Sequence, residues 1–400
     1  MMHSESSAPR VTEPGVQGHC DERFASVRAA FEANFREYDD LGAAVAVRVG
    51  GQTVVDLWGG WADAARTRPW ERDTVVNVWS TTKGPTALCA HLLADRGQLD
   101  LDAPVAAYWP EFAAAGKSSV LVRHLLSHRA GLAGLREPLS LAEMYDWELT
   151  TERLAAMEPW WEPGTQSGYH ALTYGFLVGE VVRRITGLLP GEFLHEEVTG
   201  PLGLDFTIGL PEKEAGRVAE LVSASATAAG EQMAFAELPP VALASLANPV
   251  ITAADANTPE WRAAHIAAAN GHGTARAVAA LYGIFAHRGI ADGRRVLSPQ
   301  AAERAREGQG VCRDLVVGMG FDHDTEIALG MWLSGPNASY GPNPRAFGHD
   351  GTGGSFGLAD PEADVSMGYV VNRMGYRIAD DPRKKALIDA VYAALEPSRA

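Results

Sequence analysis

The strand signals of this chain sit near its two ends, and a long helical texture runs between them. Ala43–Val49 and Thr53–Trp58 are valine-rich runs split by Gly50-Gly51, a pattern that predicts a hairpin. Ile327–Leu333, Ser355–Leu358 and Val365–Val371 are further strand candidates, the last two joined by a turn at Asp360-Pro361-Glu362. From Ser80 to about Arg276, Ala- and Leu-rich helical segments alternate with loops such as Glu162-Pro163-Gly164. Phe24, Val27, Phe31 and Phe35 give a helix over Asp21–Tyr38 one apolar face, and Leu387, Ile388, Val391 and Leu395 do the same over Lys384–Leu395.

Strands from both ends bury a common face only if they share one sheet, which makes the helical stretch an insertion. The expected fold is α+β, of the α/β-sandwich kind: an antiparallel five-stranded sheet flanked by helices, plus an all-helical lobe. One unit would span residues 1–400, with 21–79 and 277–396 as the α/β part and 80–276 as the mainly helical part. Residues 1–20 and the last few are expected to be frayed and flexible.

Composition excludes several function classes. Fifty acidic residues against 34 basic ones give a net charge of −16, which disfavours nucleic acid as a partner. Cys20, Cys89 and Cys312 are odd in number and far apart, so they form neither a disulfide framework nor a C-x-x-C metal site. The stretch Met1–Val16 lacks the charged start and apolar run of a signal peptide. No apolar run of about 18 residues suggests a membrane span. A cytoplasmic location is the expectation.

Three local signatures carry chemistry. Ser80-Thr81-Thr82-Lys83 is an S-x-x-K at the start of an expected helix, where positions i and i+3 share a face and Lys83 can approach Ser80. The helix N-terminus and burial would both favour a neutral lysine, able to act as a base. Alone, Ser80 also reads as an ordinary N-cap. Tyr169 follows Pro163-Gly164 on a loop that can present its hydroxyl to a cleft, although a lone tyrosine is more often a packing residue. Gly348-His349-Asp350-Gly351-Thr352-Gly353-Gly354 would let backbone approach a ligand at a sheet edge, or simply form a Gly-rich hairpin entry.

In this order the three signatures resemble the serine β-lactamase and penicillin-binding-protein superfamily, and most closely class C β-lactamases and their esterase relatives, the family VIII carboxylesterases. Gly97-Gln98-Leu99-Asp100-Leu101-Asp102-Ala103-Pro104-Val105 and the stretch Leu121–Leu132 are similar to elements of that family, and the likeness runs from about Asp21 to Leu395. The resemblance implies a β-lactamase-like fold. It implies Ser80 as the acylated nucleophile, Lys83 as its proton partner and Tyr169 as base or relay. His349–Gly351 would occupy the family's Lys-Thr-Gly strand position, bringing His349 and Gly351 to the substrate, and the backbone N–H groups of Ser80 and Thr352 would form the oxyanion hole.

Two departures bear on substrate. Ala171 stands where a β-lactamase has the Asn of Tyr-x-Asn, and His349 replaces the strand lysine. Losing both grips on an amide and a carboxylate favours a carboxylesterase that hydrolyses or transacylates neutral, short-chain esters through an acyl-serine, with His349 expected to keep a partial, pH-dependent positive charge. The rival reading is a β-lactamase, amidase or D-amino-acid peptidase using the same residues. A catalytically silent ligand-binding member is the third, and intact Ser80, Lys83 and Tyr169 speak against it. Trp160 and Trp161, just before Pro163, are candidates to line an apolar acyl pocket.

Other patterns are set aside. Gly353-Gly354-Ser355-Phe356-Gly357 matches G-x-S-x-G, but a strand follows it where a nucleophile elbow needs a helix. His124 and His128 have zinc-ligand spacing without the intervening Glu or a third ligand, so helix packing or loop anchoring is the better reading. Asp350 and His349 are strand neighbours and point to opposite faces. The glycine run lacks a dinucleotide loop's context, so no cofactor and no metal are expected. Ser80→Ala should abolish turnover by several orders of magnitude while losing only a helix cap, about 1 kcal/mol. Steady-state hydrolysis beside Ser355→Ala is the test: an active Ser80→Ala and a dead Ser355→Ala would make the elbow correct.

Overall fold

In the computed structural model, residues 15–224, 238–320, 323–337, 339–375 and 381–396 are described. Strands β1 (Gln17–Cys20), β2 (Gly42–Val49), β3 (Gln52–Gly60), β4 (Trp332–Leu333), β5 (Phe347–Asp350), β6 (Phe356–Asp360) and β7 (Val365–Val371) form one sheet. Their order is β1-β3-β2-β7-β6-β5-β4, and every pairing is antiparallel. Both chain ends meet where β2 pairs with β7, as the distribution of strand signals requires.

The sheet has seven strands, not five. Gln17–Cys20, expected to be frayed, pairs with β3 from Gln17↔Trp58 to Cys20↔Val55. Its side chains are mostly exposed, so backbone pairing alone holds it and no apolar period marked it. The other addition, β5, contains Gly348 and His349, which are weak strand formers. The expected strand Ile327–Leu333 shrinks to Trp332–Leu333, because Gly330 takes a φ of +112° and turns Ile327 back to bridge Trp332.

Alternation along the strands sorts the two faces. Ala43, Val45 and Val47 face the helices α1 (Ala25–Glu37) and α5 (Pro382–Leu395), together with Phe31, Leu387 and Val391. Ala44, Ala46, Ala359 and Val370 join the cluster of the helix Ala275–Ala286, here α4. That face is built of small residues, so α4 lies close to it. A Cβ on Gly368 would overlap the Ala275 carbonyl, and one on Gly357 would overlap the Tyr282 ring.

The insertion centres on α2 (Lys83–Asp95), buried around nearly its whole circumference, as a helix enclosed by others must be. The helix α3 (Thr173–Thr186) packs on it and ends at Gly187, whose φ of +79° closes the helix in left-handed conformation. Tyr282 on α4 donates to the Thr81 carbonyl at 2.9 Å, tying the sheet layer to the turn that precedes α2. Among the described residues, no helix is long and apolar enough to cross a membrane.

The first turn of α5 carries a buried ionic knot. Arg383 is 4% exposed; it donates to Asp40 at 3.0 Å, to Asp381 at 2.6 Å and to the Gly353 carbonyl at 2.7 Å. Burial pushes the Asp40 carboxyl up from its ordinary value, and the Arg383 guanidinium and the Tyr369 hydroxyl oppose it. Removing one member strands the other charge in the core. Arg383→Ala should therefore destabilise the fold by about 3–5 kcal/mol, seen as a lowered urea midpoint. A loss below about 0.5 kcal/mol, the range of ordinary surface changes, would show that water replaces the guanidinium freely.

Candidate active site

The Ser80 turn begins with local strain. Trp79 has a φ of +48°, costly for a bulky residue, and its ring is held 5.5 Å from that of Trp261. The short 3-10 turn Trp79–Thr82 then leads into α2. From Thr74 to Leu93, Ser80 is the one residue that is not buried. It lies in a first turn, where amide N–H groups have no partner inside the helix.

Lys83 lies beneath it, completely buried. Its Nζ is 3.0 Å from Ser80 Oγ, 2.8 Å from the Ala171 carbonyl and 3.0 Å from the Ala268 carbonyl. Desolvation holds its pKa well below the usual lysine value. A neutral amine has two hydrogens and one lone pair. The two carbonyls take the hydrogens, and the lone pair is left facing the Ser80 hydroxyl.

Tyr169 closes the other side. Its ring centroid lies 4.8 Å from Lys83 Nζ, 4.9 Å from the His128 ring and 5.9 Å from that of His349. Burial pushes the phenol up, a side-chain hydrogen bond with Ser80 opposes this, and Asp314 and Asp350 add to the rise. The site thus sets an amine pushed toward neutrality and a phenol held protonated on either side of one serine hydroxyl.

The β5–β6 turn is stitched to the Ser80 turn. Gly351 N–H donates to the Ser355 carbonyl at 2.7 Å, and Ser355 Oγ donates to the Val78 carbonyl at 2.8 Å. A Cβ on Gly351 would strike that same Val78 carbonyl, so only glycine lets this strand end pack against the Ser80 turn. Thr352 is exposed at the tip, with Gly353 behind it gripped by Arg383. Ser355 is 3% exposed and leads into β6, so its hydroxyl serves as a latch between the two turns.

His349 lies on β5, 2% exposed, with its Nδ1 2.8 Å from the Asp350 carbonyl and its Nε2 unpartnered. Donation to that carbonyl assigns the proton to Nδ1. Desolvation drives its pKa well below the usual imidazole value. The partial positive charge expected at this position is therefore absent; the buried ring stays neutral. Asp350 points away from it to Lys384, at 2.7 and 2.8 Å. Trp161 is buried, donating to the Gln166 carbonyl at 3.0 Å and meeting His170 edge-on at 6.0 Å. Trp160 sits farther out, donating to the Gly134 carbonyl at 2.8 Å, with the Arg136 guanidinium 3.9 Å above its ring.

Several members of the site escaped the sequence reading. His170 N–H donates to His128 Nδ1 at 3.0 Å, and Leu132 N–H donates to His170 Nε2 at 3.1 Å. Burial pushes the His170 imidazole down to about 3, so both rings work as neutral loop anchors. His124 Nδ1 accepts from Leu121 N–H at 3.3 Å, its own helix start, which separates its work from that of His128. Asp314, Ser245 and Ala268 reach the site from distant segments, and no local motif announces them.

The sequence profile of the Beta-lactamase family matches residues 31–391. The chain is 38% identical over 373 residues to "Esterase/beta-lactamase LipL" of Mycobacterium tuberculosis, covering 90% of this chain and 83% of that protein. It is similar to the crystal structure of a family VIII carboxylesterase, with a TM-score of 0.89 and 43% identity over 95% of this chain and 100% of that one. A penicillin-binding-protein homologue from Caulobacter crescentus matches with a TM-score of 0.87 and 42% identity over 95% of this chain and all of that one.

The Lys83 geometry makes a signed prediction. A base must be unprotonated to act, and burial places the Lys83 pKa well below 10.5. Turnover of p-nitrophenyl acetate should therefore stand on a plateau at neutral pH and fall as acid protonates the amine. Lys83→Arg, permanently charged, should lose roughly 10²-fold or more of kcat. An arginine variant within about tenfold of the parent would show that this position supplies charge, not a base.

Proposed function

The chain belongs to the Beta-lactamase family, and from that premise we propose that it is a serine carboxylesterase cleaving short-chain esters through an acyl-Ser80 intermediate. The observation that carries the mechanism is Lys83, buried, with its Nζ in hydrogen-bond contact with Ser80 Oγ and with the Ala171 and Ala268 carbonyls; once neutral, it can give both hydrogens to the carbonyls and turn its lone pair to Ser80. Ser80 Oγ attacks the ester carbonyl carbon as its proton passes to Lys83 Nζ. The developing oxyanion is received by the Ser80 and Thr352 backbone N–H groups. Collapse breaks the bond to the alkoxy oxygen, which leaves as the alcohol with the Tyr169 proton; Lys83 returns a proton to Tyr169. Water then attacks the acyl-Ser80 carbonyl, giving its proton to the same relay, and the carboxylic acid departs as Ser80 is reprotonated. Tyr169 acts in this scheme as the relay, since burial keeps its phenol protonated at rest.

Substrate class rests on Ala171 and His349. Neither offers the amide grip or the cation that a charged β-lactam would use, and His349 is neutral. A small ester with an apolar acyl group needs neither. Trp161, against the Tyr169 loop, is placed to wall the acyl side, with Trp160 at its outer margin. The chain supplies every group that acyl transfer requires, so the proposed enzyme is cofactor-free, with a small molecule as its partner and a cytoplasmic setting. The same Ser80–Lys83–Tyr169 set could open β-lactams or D-amino-acid peptides, and the mycobacterial relative's name joins esterase with β-lactamase.

The test is a comparison of aryl esters with a chromogenic cephalosporin. Two missing polar contacts, about 1–3 kcal/mol each, should leave esters at least roughly a hundredfold ahead in kcat/KM. Because His349 stays neutral, that ratio should not grow between about pH 6 and about pH 8, the span over which an exposed histidine would lose its charge. Equal efficiency on the cephalosporin would give the assignment to β-lactamase.

A further inference from the structure

Tyr169 belongs to no helix or strand, yet its ring is held between Lys83, His128 and His349. Backbone polar groups of a buried loop need partners, and here they come one by one from elsewhere. Gly168 N–H donates to the His128 carbonyl at 3.1 Å, and His170 N–H donates to His128 Nδ1 at 3.0 Å. Ala171 N–H donates to Ser245 Oγ at 3.2 Å. The tyrosine's own peptide groups are taken by two side chains: its N–H donates to Asp314 Oδ1 at 3.1 Å, and its carbonyl accepts from Ser245 Oγ at 2.6 Å.

Asp314 is 3% exposed. Its Oδ1 also accepts from Val316 N–H at 2.8 Å and Val317 N–H at 2.9 Å, and its Oδ2 accepts from Ser167 Oγ at 3.4 Å. The bonds to Val316 and Val317 would suffice to cap a local turn. The bond to Tyr169, 145 residues away in sequence, goes beyond that need. Leu315 N–H donates to the Ser167 carbonyl at 2.9 Å, so the two segments run side by side up to the tyrosine. Burying a carboxylate on amide donors is costly unless each bond is kept, which makes the grip short-ranged and stiff.

We propose that Asp314, with Ser245, is a positioning clamp that fixes the Tyr169 hydroxyl against Ser80 by gripping the tyrosine's own peptide groups. This rests on the acyl-Ser80 reading above. Neither residue touches the substrate; both act through Tyr169.

A double-mutant cycle on p-nitrophenyl acetate hydrolysis tests the clamp, with folding checked by circular dichroism and the urea midpoint. Asp314→Ala should lower kcat at least about tenfold and leave KM within about twofold. Asp314→Asn, which keeps an oxygen for the three amides, should recover kcat to within about threefold. In a Tyr169→Phe background, Asp314→Ala should cost less than about twofold more, because the hydroxyl it positions is already gone. If Asp314→Ala does not fold, Ser245→Ala runs the same cycle with the same expectation. An equal loss in both backgrounds, or an undiminished kcat in the folded single variant, overturns the clamp alone. A wild-type Ser80 that a fluorophosphonate does not label overturns the acyl-Ser80 reading instead, and a Tyr169→Phe variant with full kcat overturns the Tyr169 relay and the clamp with it.

Discussion

A lysine with no access to water governs this structure. Lys83 is enclosed by α2, by the Ala171 carbonyl from the loop before α3 and by the Ala268 carbonyl from the segment before α4. An ammonium ion in that place would be desolvated with no carboxylate among its three partners, which pushes the amine toward its neutral form. A neutral amine with two fixed hydrogens has one direction left for its lone pair, and the Ser80 hydroxyl stands there. Burial, often treated as a cost, is what equips Lys83 for the role of base proposed for it.

Holding that arrangement requires parts from both ends of the chain. The hairpin β2–β3 and the C-terminal strands build the sheet, and its small-residue face admits α4 close enough for Tyr282 to reach the Thr81 carbonyl. Opposite, Ser355 latches the β5–β6 turn to the Val78 carbonyl, and Arg383 and Lys384 of α5 hold Gly353 and Asp350. The N–H groups of Ser80 and Thr352 thus sit on two turns fastened to each other and to the sheet. Such fastening would preorganise the two N–H groups for the oxyanion role proposed for them.

Charge is rationed around the serine. His128, His170 and His349 are all buried and all pushed toward neutrality, and Tyr169 is held protonated. Asp350 is paired with Lys384 and Arg383 with Asp40, and Asp314 is spent on backbone N–H groups. These groups surround the serine without a cation at the His349 position, which is the basis for proposing an uncharged ester as substrate.

The sequence by itself determined what depends on short-range periodicity. Ser80 and Lys83 share a helix face because they are three apart, the Gly50-Gly51 pair turns a hairpin, and the spacing of Leu387, Ile388 and Val391 predicts the closing helix. The family likeness, read from motif order, singled out Tyr169, whose ring lies beside Lys83, and assigned Thr352 to the same site as an expectation. Only the tertiary structure decided the rest. β1 carries no apolar pattern and exists by pairing with β3; β5 is built of weak strand formers held on both sides by neighbours. Asp314 and Ser245 reach Tyr169 from 145 and 76 residues away, and the charge states of Lys83 and His349 follow from what encloses them. Desolvation and cross-chain hydrogen bonds depend on every segment around a group, and no window of neighbouring residues contains that information.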